Sequence, residues 1–466
     1  MQQLPSVDTV FLSMETPETP GHIGGLTILD PSTHPEDAFD FDRFVEFVAE
    51  RLALCPRFSW TLQQVPLGFD RPYWVETPDL DFGQHIHRLA VPSPGGQREL
   101  ADLASLLYPQ PLDRSRPLWE MTFIEGLQGG RVALLWKVHH CLIDGASGAG
   151  LIEFLSDLEP TPAKCNPAQL EDLSQAGTPV GALRMLANGA LNAMQRPGAA
   201  VKHLAAAGRG VIEQIRTEGL SGTSMAPRVS FNGALGTRRS IAWSRLSLER
   251  VKQLKRELGV TVNDVVLALT SDAVRRYLAE RGELPEDSLY AAVPVSIRAE
   301  GDKSIGNQIS EVSVEWATNR EDPLERLFAI HESSTAAKAR VHSGKLNLVE
   351  AIAESLPPGM LSLLSHVGAS LAESSPLPSN AVVSNVQLSP HPLYVAGAKM
   401  EGMVPMSLLA PTQGLNITVL TYNGEMHFGV IADPDLVDNV WTIADAIPKA
   451  LGELEAAAEA DPRFAG

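Results

Sequence analysis

Cysteine is scarce in this 466-residue chain: three residues, Cys55, Cys141 and Cys165, with no CxxC pair. An odd and sparse count excludes a disulfide-built fold and fits a reduced, cytoplasmic compartment. Metal-ligand spacing is missing too, since neither His-Glu-x-x-His nor paired cysteines at zinc spacing occurs. No G-x-S-x-G nucleophile elbow is present; around Ser147, Ala149 stands where the last glycine belongs. No apolar run approaches the roughly 18 residues that a membrane-crossing helix needs. The opening MQQLPSVDTV has neither the basic region nor the apolar core of a signal peptide, so none is expected. Basic residues are outnumbered, 37 Lys and Arg against 56 Asp and Glu, for a net charge of −19. That balance argues against nucleic acid as a general partner. An anionic co-substrate would need a local basic patch, for which Arg238, Arg239, Arg275, Arg276 and Lys303 are candidates.

What is present is an ordinary globular balance, 44% hydrophobic and 20% charged residues, in a length that suits two or three domains. The most informative stretch is Val138-His139-His140-Cys141-Leu142-Ile143-Asp144-Gly145, which fits HHxxxDG. Arg131 to Val138 (RVALLWKV) reads as a buried strand, Asp144-Gly145 as a turn, and Ala146 to Leu158 has helical apolar spacing. A histidine at the end of a rigid strand is held firmly and can face a cleft, as a general base requires. The ordinary reading of a lone strand histidine is a satisfied core residue. A metal pair is disfavoured, because neighbouring strand side chains point to opposite faces. Cys141 lies in the variable part of the motif, where packing is its expected role.

Helical spacing covers Phe41–Leu54, with Asp40 or Asp42 at its start, and Glu99–Tyr108. Leu118–Gly126 and Arg131–Val138 read as strands around Gly129-Gly130, which would put Trp119 and His140 in one sheet. Residues 159–181 are rich in Pro and polar residues and read as a linker. Leu183 to Ile215 resembles basic amphipathic helices, either touching a lipid surface or packed between domains; the second reading is favoured, because interfacial aromatics are lacking. Beyond Phe231, Leu248–Leu258 should be a helix between Ser247 and Gly259, and Thr261 should cap a buried helix to about Arg281. Ala381–Val386 reads as a strand, Asn423-Gly424 as a hairpin turn between Leu415–Tyr422 and Glu425–Ile431, and Val440–Glu459 as a last helix.

HHxxxDG is the signature of the acyl-CoA-dependent acyltransferase superfamily. Further blocks narrow the resemblance to the bacterial wax ester synthase/diacylglycerol acyltransferase family: Arg116-Pro117-Leu118-Trp119-Glu120, Val262-Asn263-Asp264-Val265, Val293-Pro294-Val295-Ser296-Ile297-Arg298, Ser384-Asn385-Val386, and Gly414-Leu415-Asn416-Ile417-Thr418 with Tyr422 and Gly429. Leu4 to Gly25 also resembles that family's N-terminus, and the blocks run in order along nearly the whole chain. Two departures stand out: Gln387-Leu388-Ser389-Pro390 replaces the family's Pro-Gly-Pro, and Gly21 stands where Met often precedes the early histidine. The resemblance implies an α/β fold of two chloramphenicol-acetyltransferase-like domains with an active-site tunnel at their interface. The corresponding boundaries are 1–158 for an N-terminal domain with HHxxxDG, 159–230 for a linker with amphipathic helices, and 231–466 for a C-terminal domain with the ND and PVSxR blocks.

The implied reaction moves a long-chain acyl group from acyl-CoA to diacylglycerol, to a fatty alcohol, or to both. Acyl-CoA is then a co-substrate, and no permanently bound cofactor or metal is expected. His140 is the expected general base, with direct transfer and no acyl-enzyme. His139 is expected to hold the loop. Asp144 is either the orienting carboxylate of a triad or, as the superfamily suggests, the partner of Arg298 in a structural ion pair. Gly145 suits a turn with positive φ or close backbone approach. Asn263 could face the developing oxyanion from a helix start, while Asp264 satisfies that helix's free N–H groups. Pro117, Leu118 and Trp119 would wall the acyl tunnel, with Ser384 and Asn385 lining it from the second domain. His22, His331 and His366 are read as structural or surface residues. The expected location is cytoplasmic, with peripheral contact to the inner membrane or lipid inclusions. Two competing functions remain open: acylation of a secondary-metabolite alcohol, and a non-catalytic lipid-binding or lipid-droplet role.

Overall fold

The computed structural model describes residues 2–35, 39–77, 80–142, 151–161, 181–192, 226–296, 309–342, 358–363 and 377–463. Two mixed six-stranded sheets dominate. The first takes β2 (His22–Asp30), β5 (Ile86–Ala90), β6 (Trp119–Glu125) and β7 (Val132–His139), and adds β12 (Tyr394–Val395) and β13 (Ala398–Met406) in the order β12-β13-β2-β7-β6-β5. The second contains β8 (Ser240–Ser247), β9 (Tyr290–Ser296), β10 (Ile309–Glu315), β11 (Ala381–Gln387), β14 (Leu415–Tyr422) and β15 (Glu425–Ala432), in the order β10-β9-β11-β14-β15-β8. A three-stranded sheet of β1 (Gln2–Gln3), β3 (Trp60–Gln63) and β4 (Tyr73–Glu76) completes the first half.

The sequence patterns explain most of these elements. β7 is buried at every position, which accounts for its near-continuous apolar run. Helix α2 (Phe41–Leu52) starts at Asp40, whose carboxylate accepts the Arg43 N–H at 2.9 Å. The helix α3 (Gln97–Leu107) matches the predicted Glu99–Tyr108 segment, starting two residues earlier and ending at Leu107, with Tyr108 as its C-cap. Helix α4 (Leu248–Leu258) ends on Gly259 at φ 70°, and α5 (Val262–Glu280) is buried along nearly its whole length. Asn423 and Gly424 close the β14–β15 hairpin, both at positive φ. After the histidine motif only 151–154 are helical among the described residues; Asp157, inside the predicted Ala146–Leu158 helix, instead bridges Tyr394. The expected amphipathic stretch is described only at 181–192, where 182–192 are helical, and the rest lies outside the described residues.

Residues 394–406 follow most of the second sheet in sequence yet pair into the first. β13 runs antiparallel to β2, with Met406 opposite Gly24. It also packs on β15: a Cβ on Gly429 would lie 1.9 Å from the Pro405 carbonyl oxygen, so only glycine allows that approach. Helix α6 (Pro323–His342) and α7 (Val440–Ala460) pack with α4 and α5 against the second sheet. Between the sheets lies a core with Leu26, Leu135, Ile241, Trp243, Val404 and Ile431 drawn from both.

Candidate active site

The histidine pair sits where β7 ends, beside the start of β2 and the start of β6. The His139 N–H donates to the Leu118 carbonyl at 2.9 Å, and the His140 N–H donates to the Gly21 carbonyl at 2.9 Å. Backbone bonds from two neighbouring segments therefore fix the strand end before the chain turns. The side chains diverge as strand alternation requires. The His140 ring stacks on Phe11, with centroids 4.0 Å apart and planes 10° from parallel. Phe11 belongs to α1 (Ser6–Met14), in which Val7, Val10, Phe11 and Met14 recur at helical spacing.

His139 is fully buried in a polar nest. Its Nδ1 accepts the Cys141 N–H at 3.1 Å, which leaves Nε2 as the ring's N–H donor. That Nε2 lies 3.4 Å from Glu15 Oε2. Glu15 also accepts the Gly21 N–H at 3.2 Å and the Arg114 guanidinium. Arg114 in turn donates to the Leu12 carbonyl at 2.8 Å, in the last turn of α1. Burial pushes the Glu15 carboxyl up, but His139 and Arg114 together outweigh it and hold the group at about 2. Gly21 answers to the same packing: a Cβ there would sit 2.6 Å from His139 Nε2. Glu15, Gly21 and Arg114 are site neighbours that spacing alone did not reveal; the resemblance of Leu4–Gly25 to the family's N-terminus was the available signal.

The remaining predicted residues divide into four groups. Pro117, Leu118 and Trp119 lie directly beside the histidines, Trp119 pairing with Val138. The Trp119 indole is buried, donates to the Phe58 carbonyl at 2.7 Å and stacks on His85. Asn263 and Asp264 lie in the first turn of α5. Asp264 is fully buried and accepts the Thr261 N–H at 2.9 Å, the Ser334 hydroxyl at 2.6 Å and a bond with His331 Nδ1 at 2.7 Å. Burial opposes its ionisation, and the surrounding donors outweigh that and hold its carboxyl below the usual range. Asn263 is half-buried. In β11, Ser384 is half-buried beside Thr418 and Asn385 is exposed. Asp144, Gly145 and Arg298 lie outside the described residues, as do His366, Ser147 and Lys303.

Other titratable groups are committed to the frame. The Cys141 thiol is buried and pushed well above its usual range, which fits packing and not nucleophilic attack. His22 is buried, bonds the Tyr108 carbonyl at 2.6 Å, and is pushed down to about 3 by burial and by Lys137. The Lys137 ammonium, itself buried, donates to the carbonyls of Leu107 and Gln110 where α3 ends. Of the basic candidates, Arg239 donates to the carbonyls of Gly236, Arg238 and Glu18, Arg275 to that of Thr318, and Arg276 pairs with Asp272 and Glu453. Arg238 is exposed and paired with Asp435. Among the described residues no group of three His, Cys, Asp or Glu side chains could hold a metal ion.

The fold defines the class first. The chain superposes on the first condensation domain of the calcium-dependent antibiotic synthetase with a TM-score of 0.58 at 16% identity, covering 99% of this chain and 97% of that one, a likeness of fold alone. A wax ester synthase/diacylglycerol acyltransferase from Marinobacter aquaeolei VT8 matches at a TM-score of 0.71 and 30% identity, over 98% and 99% of the two chains. A Mycobacterium tuberculosis protein with the provisional name diacylglycerol O-acyltransferase is 35% identical over 97% of this chain and 90% of its own. Residues 4–266 match the wax ester synthase/diacylglycerol acyltransferase catalytic domain and residues 305–455 the C-terminal domain of the same family. The chain belongs to that family: it is a bipartite acyltransferase that uses acyl-CoA and a lipid alcohol.

Proposed function

We propose that the chain makes triacylglycerol by moving a long-chain acyl group from acyl-CoA to diacylglycerol, with fatty alcohols as a second acceptor class that gives wax esters. The observation that carries the mechanism is the His140 ring, half-buried at the end of a rigid strand and stacked flat on Phe11. As the alcohol oxygen attacks the thioester carbonyl, its proton passes to the His140 imidazole. As the carbon–sulfur bond breaks, the coenzyme A thiolate takes that proton back, so the histidine ends as it began. His139, held between Cys141, Glu15 and Gly21, positions the strand end. In this reading Asn263 faces the oxyanion, helped by the N-terminus of α5. Asp144 pairs with Arg298, Gly145 shapes the turn that follows the histidine motif, and Asp264 closes the first turn of α5. A tunnel between an N-terminal domain (1–158) and a C-terminal domain (231–466), joined through 159–230, would be walled by Pro117, Leu118, Trp119, Ser384 and Asn385. A cleft of about 740 Å³ supports a donor entrance: Arg238 and Arg239 line it together with Pro17.

The names of the relatives favour diacylglycerol over a fatty alcohol as acceptor. We place the protein in the cytoplasm, in peripheral contact with membrane or lipid inclusions, where such acceptors dissolve. No described helix is long and apolar enough to cross a membrane. The test is thiol release from palmitoyl-CoA by the purified chain, with diacylglycerol or hexadecanol as acceptor. Acceptor-dependent release, faster with diacylglycerol, is the expected result. Release with neither, across a wider alcohol panel, would sink the reading and leave lipid binding.

A further inference from the structure

A second cleft lies far from the histidines, where the two sheets meet at their other end. It encloses about 470 Å³, within the range typical of small-molecule sites. Its walls come from β13 of the first sheet, β8 and β15 of the second, and the start of α3. Gly402 pairs with Ile28, six residues along β2 from His22, which places the cleft roughly 20 Å from the histidine pair at ~3.3 Å per strand residue.

A local irregularity shapes it. The register of β13 on β2 shifts between Met400 and Gly402, leaving Glu401 as the extra residue of a bulge. Glu401 turns outward and binds Arg131 at 2.8 Å. Gly402 receives the His427 ring, for a Cβ there would lie 2.5 Å from the imidazole. His427 is only 5% exposed. Its Nε2 has no hydrogen-bond partner among the described residues, and the Glu425 carboxylate stands 3.9 Å away. Burial pushes the ring down to about 4, so it is neutral at pH 7, with one donor and one acceptor to satisfy. An unmet buried polar group of this kind is costly, and the residue that carries it lines the cleft.

The chemistry of the walls narrows the ligand. Each ionic side chain there already has a counter-ion: Arg131 with Glu401 and Asp30, Arg245 with Glu425, and Asp445 with Arg98. A charged ligand would find no unpaired opposite charge among them. The floor is apolar, formed by Leu100, Leu127, Met403 and Trp243. We infer that this cleft is a second ligand site, which binds an uncharged amphiphile by its hydroxyl-bearing head group at His427 and its chain along that floor. The inference is independent of the role given to His140.

The probe is 1-monododecanoylglycerol with a diazirine at the chain end, photolysed on the full chain and mapped by peptide. Label on 127–131 and 401–404 is expected. His427→Phe keeps a ring beside Gly402 and removes the hydrogen bond; Gln97→Trp fills the cleft without touching His427. Each should weaken binding measured by calorimetry about tenfold, the equivalent of one good buried hydrogen bond. Label confined to segments around Phe11 and His139–Leu142, or unchanged affinity in both variants, would overturn the inference and leave water as the partner of His427. Acyl transfer assayed on the same preparation reports separately on the proposed function.

Discussion

Two buried carboxylates in this molecule each face a histidine, and they do different work. Asp264 caps its own helix through the Thr261 N–H and ties α5 to α6 through Ser334 and His331. All of its donors come from two adjacent helices, so it is a structural clasp. Glu15 gathers its partners from three separate segments: Arg114, the Gly21 N–H and His139. It thereby connects α1, which carries Phe11 under the His140 ring, to the strand end that carries both histidines. A carboxylate that closes a helix contributes stability wherever it sits. One that joins the supports of the imidazole proposed as general base also sets its geometry.

Substitutions can separate those roles. His140→Ala should lower acceptor-dependent thiol release by about 10²–10⁴-fold, the usual contribution of a general base, while circular dichroism and melting stay near wild type. Turnover within a factor of two of wild type would remove His140 from the mechanism. Gly21→Ala drives a methyl into His139 Nε2 and should cost about a hundredfold in kcat, since displacements of ~1 Å near a reacting group have that effect. A crystal structure of that variant with the His139 ring unmoved would contradict the steric account.

Glu15→Gln should cost about 1–3 kcal/mol in denaturant unfolding and slow turnover as well. Its pH signature is specific. The folded carboxyl sits near 2 against 4.5 unfolded, so its contribution is complete above about pH 4.5 and lost as pH falls towards 2. The glutamine variant should lack that part of the acid limb. Asp264→Asn should cost a similar 1–3 kcal/mol with kcat nearly unchanged. If kcat fell as steeply as in Glu15→Gln, the contrast between clasp and connector would fail.

The smallest expected effect comes from the buried neutral histidines. His22 and His427 are held near 3 and 4, below the unfolded value of 6.5. The unfolded chain therefore takes up their protons first, and stability present above pH 6.5 declines as pH falls towards 4. Melting temperature followed from pH 7 to 4.5 should drop, and the drop should shrink in His427→Phe. A flat profile in the wild type would show both rings charged in the folded state.

Local pattern made much of this legible. The apolar run of β7, the Asp40 cap of α2, the Gly259 stop of α4, the Thr261–Asp264 box and the Asn423-Gly424 turn are each written in a few adjacent residues, because backbone hydrogen bonding and φ preferences act over one turn. Trp119 and the histidine-bearing strand could be placed in one sheet for the same reason, although that strand closes at His139, one residue before His140. The pairing of β13 into the first sheet could not. It depends on a contact between residues nearly four hundred positions apart, Met406 and Gly24, and no short pattern encodes a partner at that range.

Family membership was thus determined by the sequence itself, since motif residues and their order need no coordinates to be recognised. Tertiary structure alone decided that Glu15 and Arg114 hold His139, that Phe11 underlies His140, and that a bulge at Glu401 opens a cleft around His427. Those arrangements bring together residues from distant segments, and burial changes what each group can do. A carboxylate among donors stays charged, an imidazole in an apolar wall stays neutral, and a glycine becomes necessary only where another side chain occupies the space its own would fill.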